Sequence, residues 1–149
     1  MTLLKTYNNK NGFSLIEVIL VIAIVAFIAS MGVLFSTAAI TRSYTIAERD
    51  LLVALLTQTR AKALANVHES AHSLHVATST YILYEGVAFS ESNPTNKHVP
   101  KVSEATITGL STVTFLPLTA DVAGGGVISI IGSTQVYDVV VNSVGRINW

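Results

Sequence analysis

Three patterns of apolar and polar positions follow one another along the chain. From Val18 to Ile40 the run VILVIAIVAFIASMGVLFSTAAI carries no charge and is apolar on every face. At about 24 residues up to Thr41 it exceeds the roughly 20 that cross a bilayer as a helix. The lack of a polar stripe excludes an amphipathic surface helix. A cleavable secretory signal has an apolar core of about 7–15 residues followed by a small-residue cut site, a shorter pattern than this one. After the run the helical period continues. At about 100° per residue, Tyr44, Ala47, Leu51, Leu52, Leu55, Leu56, Thr59 and Ala63 fall on one arc, Arg42, Arg49 and Arg60 fall on the opposite side, and Val53 and Leu64 lie off the stripe. No Pro or Gly interrupts residues 33–85, so the spacing predicts one helix from Phe13 to Val67, on the order of 80 Å long. The arginine row reads as a solvated face, with a partner-binding face as the alternative.

Beyond residue 70 the period changes to two, with β-forming residues. Strands are expected at Ser73–Thr78, at Tyr81–Tyr84 as far as Gly86, and at Ala105–Thr108, Thr112–Leu116, Val127–Ile131 and Gln135–Asn142. Residues 90–101, with two prolines and two asparagines, read as a loop. Gly124-Gly125-Gly126 lacks the Lys-Ser/Thr and the helix of a phosphate-binding loop and reads as a flexible turn. A long helix followed by antiparallel strands places the chain in the α+β class.

Composition locates the excess of apolar residues. The 149 residues are 50% hydrophobic and only 12% charged, against roughly 25% charged in an average soluble domain, and the mean hydropathy is +0.56. Nine Lys/Arg balance nine Asp/Glu, which disfavours polyanion binding driven by bulk charge. With no cysteine, a disulfide scaffold, an iron–sulfur cluster, a thiol nucleophile and Cys-ligated zinc are excluded. Lys5 and Lys10 precede the apolar run while Arg42 and Arg49 follow it, so flanking charge orients it only weakly, with the short leader favoured inside. Glu17 is out of place in the apolar segment, where an ionised carboxylate costs a few kcal/mol unless it is paired or reaches the interface.

Directly before the run stands Lys10-Asn11-Gly12-Phe13-Ser14-Leu15-Ile16-Glu17. The string GFSLIEV followed by about 20 apolar residues resembles the class III signal of type IV pilins and type II secretion pseudopilins. That resemblance implies cleavage by a prepilin peptidase between Gly12 and Phe13 on the cytoplasmic side, N-methylation of the new amino group of Phe13, and removal of residues 1–12. An ammonium at Phe13 of one subunit, paired with Glu17 of a neighbour, would relieve the cost of the buried acid and give Glu17 a role in assembly. Towards the C-terminus, Phe115-x-Pro117, Gly125-Gly126-x-Ile128, Val139-x-Val141 and Gly145-Arg146-Ile147 are similar to the closing pattern of the GspH/FimT group of minor pilins and pseudopilins. Leu118 stands where that group places a glycine. Many pilins carry a proline in the middle of the apolar helix, where this chain has Ser30 and Gly32.

Three other chemistries compete. His68-Glu69-Ser70-Ala71-His72 matches H-E-x-x-H, the helical zinc-protease motif, yet no third ligand follows at a suitable spacing and the helix is expected to be ending there. DNA uptake by a FimT-like tail would need several cations, whereas Arg146 is the only one after Lys101, and the terminal Trp149 is expected to pack on the sheet. A serine triad lacks its G-x-S-x-G elbow.

The expectation is therefore a pilin-like α+β protein: a leader over 1–12, a transmembrane and assembly helix over 13–40, and a head over 41–149 with helix 41–67 and β region 71–149. It is read as a minor pilin or pseudopilin of a type II secretion pseudopilus or type IV pilus, with a major pilin, a DNA-binding minor pilin and a zinc hydrolase as alternatives. No enzymatic activity, cofactor, metal, small-molecule substrate or nucleic acid is expected. Other pilins, the prepilin peptidase and the inner-membrane assembly platform are the expected partners. The chain would sit single-pass in the cytoplasmic membrane, head outside the cytoplasm, before entering the filament.

Overall fold

A computed structural model describes residues 12–133 and 135–149, including their side chains except those of 32–39. The expected leader thus lies outside the described residues except for Gly12. The elements in order are α1 (Leu15–Leu64), a short 3-10 turn (Val67–Glu69), β1 (His72–Val76), β2 (Thr80–Glu85), β3 (Lys97–Pro100), β4 (Thr106–Gly109), β5 (Thr112–Phe115), β6 (Gly126–Ile131), β7 (Val136–Val141) and β8 (Ile147–Asn148). The chain divides between Ala38 and Ala39 into two compact units.

In the first unit, every described side chain from Phe13 to Met31 is exposed, and nearly all are apolar. Among the described residues no helix is long and apolar enough to cross a membrane. The transmembrane span expected over 13–40 is therefore not shown by the structure.

In the second unit, the remainder of α1 packs with two four-stranded antiparallel sheets, ordered β3-β2-β1-β5 and β4-β6-β7-β8. Period two decides which side chains meet. Leu74 is in register with both Leu83 and Val113, and Ile128 with Val139. All of these are buried beside Tyr81, Phe115, Ile130 and Val141, together with Leu52, Leu55, Leu56 and Ala63 of α1. The intervening Val127, Ile131 and Val140 are partly exposed on the other face of the second sheet. Gly145 has φ 69°, and a Cβ there would collide with the carbonyl oxygen of Ala120, so only glycine fits.

The helix buries Leu52, Leu55, Leu56, Thr59 and Ala63 of the expected arc, and departs from it towards the start of the head. Tyr44 and Ala47 are exposed, whereas Val53, Thr45 and Glu48 are buried. With Leu52 at the centre of the buried face, Arg49 and Arg60 lie within about 80° of it, and both are half-buried flanks of the core instead of a solvated face. Arg49 sits 5.3 Å from the centre of the Tyr137 ring and pairs with Asp50 at 2.7 Å. The expected stripe is displaced at this end because Thr45 and Glu48, polar by type, belong to the buried face in place of Tyr44 and Ala47.

The helix also stops earlier than Val67. Asn66 takes a left-handed conformation (φ 50°), a frequent way to end a helix. His68 and Glu69 are left-handed too, at φ 55° and 52°. The stretch read as a loop over 90–101 ends in β3, whose Pro100 is tolerated because β3 is an edge strand paired only with β2. The two-residue β8 is too short for a period to reveal.

Candidate processing and assembly site

Gly12, Phe13 and Ser14 form an exposed, non-helical segment ahead of α1. The Phe13 side chain is 82% exposed. A Cβ added at Gly12 would meet nothing within 4 Å, so packing among the described residues does not require glycine there. The Gly12–Phe13 bond is thus exposed and non-helical.

The helix begins immediately afterwards for a local reason. The Ser14 carbonyl accepts hydrogen bonds from the N–H groups of Glu17 at 3.0 Å and Val18 at 3.3 Å. Ser14 stands at the N-cap with Glu17 three residues on, the spacing of a capping box. The positive end of the helix dipole favours an acid in this first turn. Glu17 therefore has a role in starting α1 that the hydrophobic pattern hid, alongside any role between subunits. Further along, Ser30 satisfies its hydroxyl inside the helix by donating to the Phe27 carbonyl at 2.7 Å.

The H-E-x-x-H match does not lie on one helical face. His68 is in the left-handed turn after α1, and its Nδ1 meets Glu85 Oε1 at 2.8 Å. His72 opens β1, with Nε2 at 3.0 Å from the Val67 carbonyl oxygen. Among the described residues no group of three or more His, Asp or Glu side chains converges as metal ligands would. At the C-terminus, Arg146 is exposed and Trp149 is 65% exposed, so the tryptophan does not pack on the sheet as expected. Leu118 adopts φ 68°, the conformation glycine takes most easily, and its N–H caps α1 by donating to the Ala63 carbonyl at 2.9 Å.

Sequence reasoning missed Glu48 altogether. This acid is fully buried on α1. Its Oε1 accepts the Tyr81 hydroxyl at 2.6 Å and its Oε2 accepts the N–H groups of Val102 and Ser103, both at 2.7 Å. Burial, with the Glu48 hydrogen bond and charge added to it, holds the Tyr81 phenol well above the usual tyrosine range. Lys101 lies close by, its Nζ donating to the Thr78 carbonyl at 3.0 Å and standing 5.7 Å from the centre of the Tyr81 ring. Burial lowers its pKa, with the Glu48 charge opposing the shift. The one sequence signal for Glu48 was its position on the arc of Leu52 and Thr59.

These features define an α+β chain with an exposed, glycine-marked junction at the start of an apolar helix. Residues 7–33 match the family described as the prokaryotic N-terminal methylation motif, a stretch that contains Gly12, Phe13 and Glu17. The motif indicates a type IV pilin-like protein processed as a prepilin. No curated protein and no solved structure matches the chain.

Proposed function

We propose that the chain is a minor pilin or pseudopilin subunit of the GspH/FimT type, built into a type II secretion pseudopilus or a type IV pilus. A prepilin peptidase cuts between Gly12 and Phe13 and methylates the Phe13 amine, and the segment from Phe13 to Ile40 crosses the cytoplasmic membrane before it packs in the filament. The observation that carries this reading is the methylation motif over residues 7–33, set on an exposed junction directly before a helix that is apolar all round. A helix with no polar face has to be covered by lipid or by other helices. A filament of like subunits provides the second environment after the membrane provides the first.

Within that reading Glu17 supplies registry: its carboxylate pairs with the Phe13 ammonium of a neighbour, so that two charges costly in an apolar medium cancel. The function is associative. No reaction, cofactor, metal or nucleic acid is assigned to the chain, and its partners are other pilins, the peptidase and the inner-membrane platform. The GspH/FimT assignment is supported by the Gly145-Arg146-Ile147 turn that leads into β8, and by Leu118, which takes the glycine-like conformation at the position where that group has glycine.

Glu17→Ala tests the assembly role. The variant is expected to remain in the membrane fraction while its incorporation into filaments falls at least tenfold. Incorporation at the native level would refute the pairing.

A further inference from the structure

An open sheet edge is a template for pairing with another chain, and natural sheets blunt it with charge, proline or shortness. In the head, β3 carries Lys97 at its start and Pro100 at its end, β5 is bridged at Phe115 by Val122, and β4 ends at Gly109, whose φ is 100°. β7 is different. On one side it is paired with β6 from Val136 to Val141, whereas on the other side β8 reaches only Val140 and Val141. The Asn142 N–H donates to the Arg146 carbonyl at 3.0 Å, and main-chain groups two residues apart point the same way, so the even-numbered residues of β7 face the β8 side. Val140 meets Asn148 there. The N–H and C=O groups of Asp138 and Val136 stand beyond the end of β8, with no strand beside them among the described residues.

The side chains along this edge state what kind of strand fits. Val136 stands opposite Ile131 and Val140 opposite Val127, and all four are exposed on the outer face of the sheet. Between the two apolar pairs lies Asp138, the only charged residue of β7. Its Oδ1 accepts the Ser129 hydroxyl of β6 at 2.6 Å, which turns the carboxylate over the sheet face and leaves the free main-chain groups uncovered. An added strand with an apolar residue opposite Val136 and a basic one opposite Asp138, two positions apart on one face, complements this edge. A second copy of β7 does not. The antiparallel register that uses Val136 and Asp138 of both copies sets each Asp138 against a Val136, and a register centred on Asp138 sets the two acids together.

We infer that β7 takes up an extended strand of another protein, paired through the main chain of Val136 and Asp138, with an apolar residue beside Val136 and a lysine or arginine opposite Asp138. The main-chain bonds supply the grip and the basic residue supplies the choice of partner. The end of β8 stops the added strand and so fixes its register. This interaction belongs to the head alone and does not depend on where the apolar helix of the first unit lies.

The probe is the heptapeptide acetyl-TKTVTKT-amide, whose sequence reads the same in both directions. It is titrated into the full chain in non-ionic detergent while the fluorescence of Trp149 is followed, the only tryptophan of the chain, directly after β8 and 65% exposed. A saturable blue shift is expected, with at least tenfold weaker binding of acetyl-TETVTET-amide and of the basic peptide N-methylated at its valine. Val136→Pro removes an outward N–H and spares the ladder with β6, which the odd-numbered residues make, as in the bond from the Gly132 N–H to the Gln135 carbonyl. It should abolish the shift with the far-ultraviolet circular dichroism unchanged. Asp138→Lys should reverse the preference between the basic and the acidic peptide. No saturable shift with the basic peptide up to several millimolar, equal binding of its N-methylated form, native binding by Val136→Pro, or an unreversed preference in Asp138→Lys would each overturn the proposal.

Discussion

Glu17 and Glu48 lie on the same helix, yet their surroundings are opposite. Glu48 is fully buried and its two oxygens accept three hydrogen bonds from within the head. Glu17 is exposed among apolar neighbours, and among the described residues its carboxylate has no partner side chain. One acid is completed by its own chain; the other, under the proposed function, is completed by a neighbouring subunit. The same division runs through the two units: the head has a core of apolar side chains buried between α1 and its sheets, while the described side chains from Phe13 to Met31 are all exposed.

The largest effect that sharpens this contrast is expected from Glu48→Ala. It leaves the Tyr81 hydroxyl and the N–H groups of Val102 and Ser103 buried without an acceptor, which should cost the head about 3–5 kcal/mol. Near-ultraviolet circular dichroism during thermal melting of the full chain in detergent measures it. Glu17→Ala in the same assay should move stability by less than about 0.5 kcal/mol. Equal effects of the two substitutions would erase the distinction.

Tyr81→Phe comes next, at about 1–3 kcal/mol, because it removes one donor from a buried charge. It also has a pH signature. The folded-state pKa of Tyr81 lies above its unfolded value, so its contribution is complete below pH of about 10 and is lost as pH rises beyond that. In the native chain the melting temperature should fall on going above pH 10 more steeply than in the Phe variant, and parallel curves would contradict the assignment. Lys101, whose pKa is lowered, acts in the other direction: the strain on its charge is relieved as pH rises towards its unfolded value, which Lys101→Gln would isolate.

A smaller effect is expected at the turn that caps α1. Leu118 is 66% exposed and held at φ 68°, so Leu118→Gly should relieve left-handed strain and raise stability by about 0.5 kcal/mol after the entropy of the unfolded glycine is counted. A marked loss in the same melting assay would mean that the leucine side chain contributes packing there. Gly145→Ala should act in the opposite sense, because its Cβ meets the Ala120 carbonyl oxygen.

The two units also differ in how far their residues announced them. β-forming residues marked β1, β2 and β4 to β7; in β5 and β6 burial also alternates, whereas β1 and β2 are buried over consecutive residues. That signal missed β3, where Asn93, Pro94 and Asn96 before an edge strand and Pro100 at its end hide four paired residues. The buried arc of α1 was displaced because Thr45 and Glu48 are polar by type and buried by context, a property that lives in the loop of Val102 and Ser103, more than fifty residues away. The methylation motif was legible because its residues, Gly12, Phe13 and Glu17 among them, lie close together in the chain. The start of α1 at Ser14 was equally local, and the apolar residues around it drew the eye to Glu17 as a misplaced charge instead of an acid in the first helical turn.

The account rests most directly on the bond between Gly12 and Phe13. Intact mass and N-terminal fragmentation of the mature chain recovered from its native membrane should give a protein that begins at Phe13 with one methyl group on its amine. A chain that retains Met1, or one cut beyond residue 30, would contradict it.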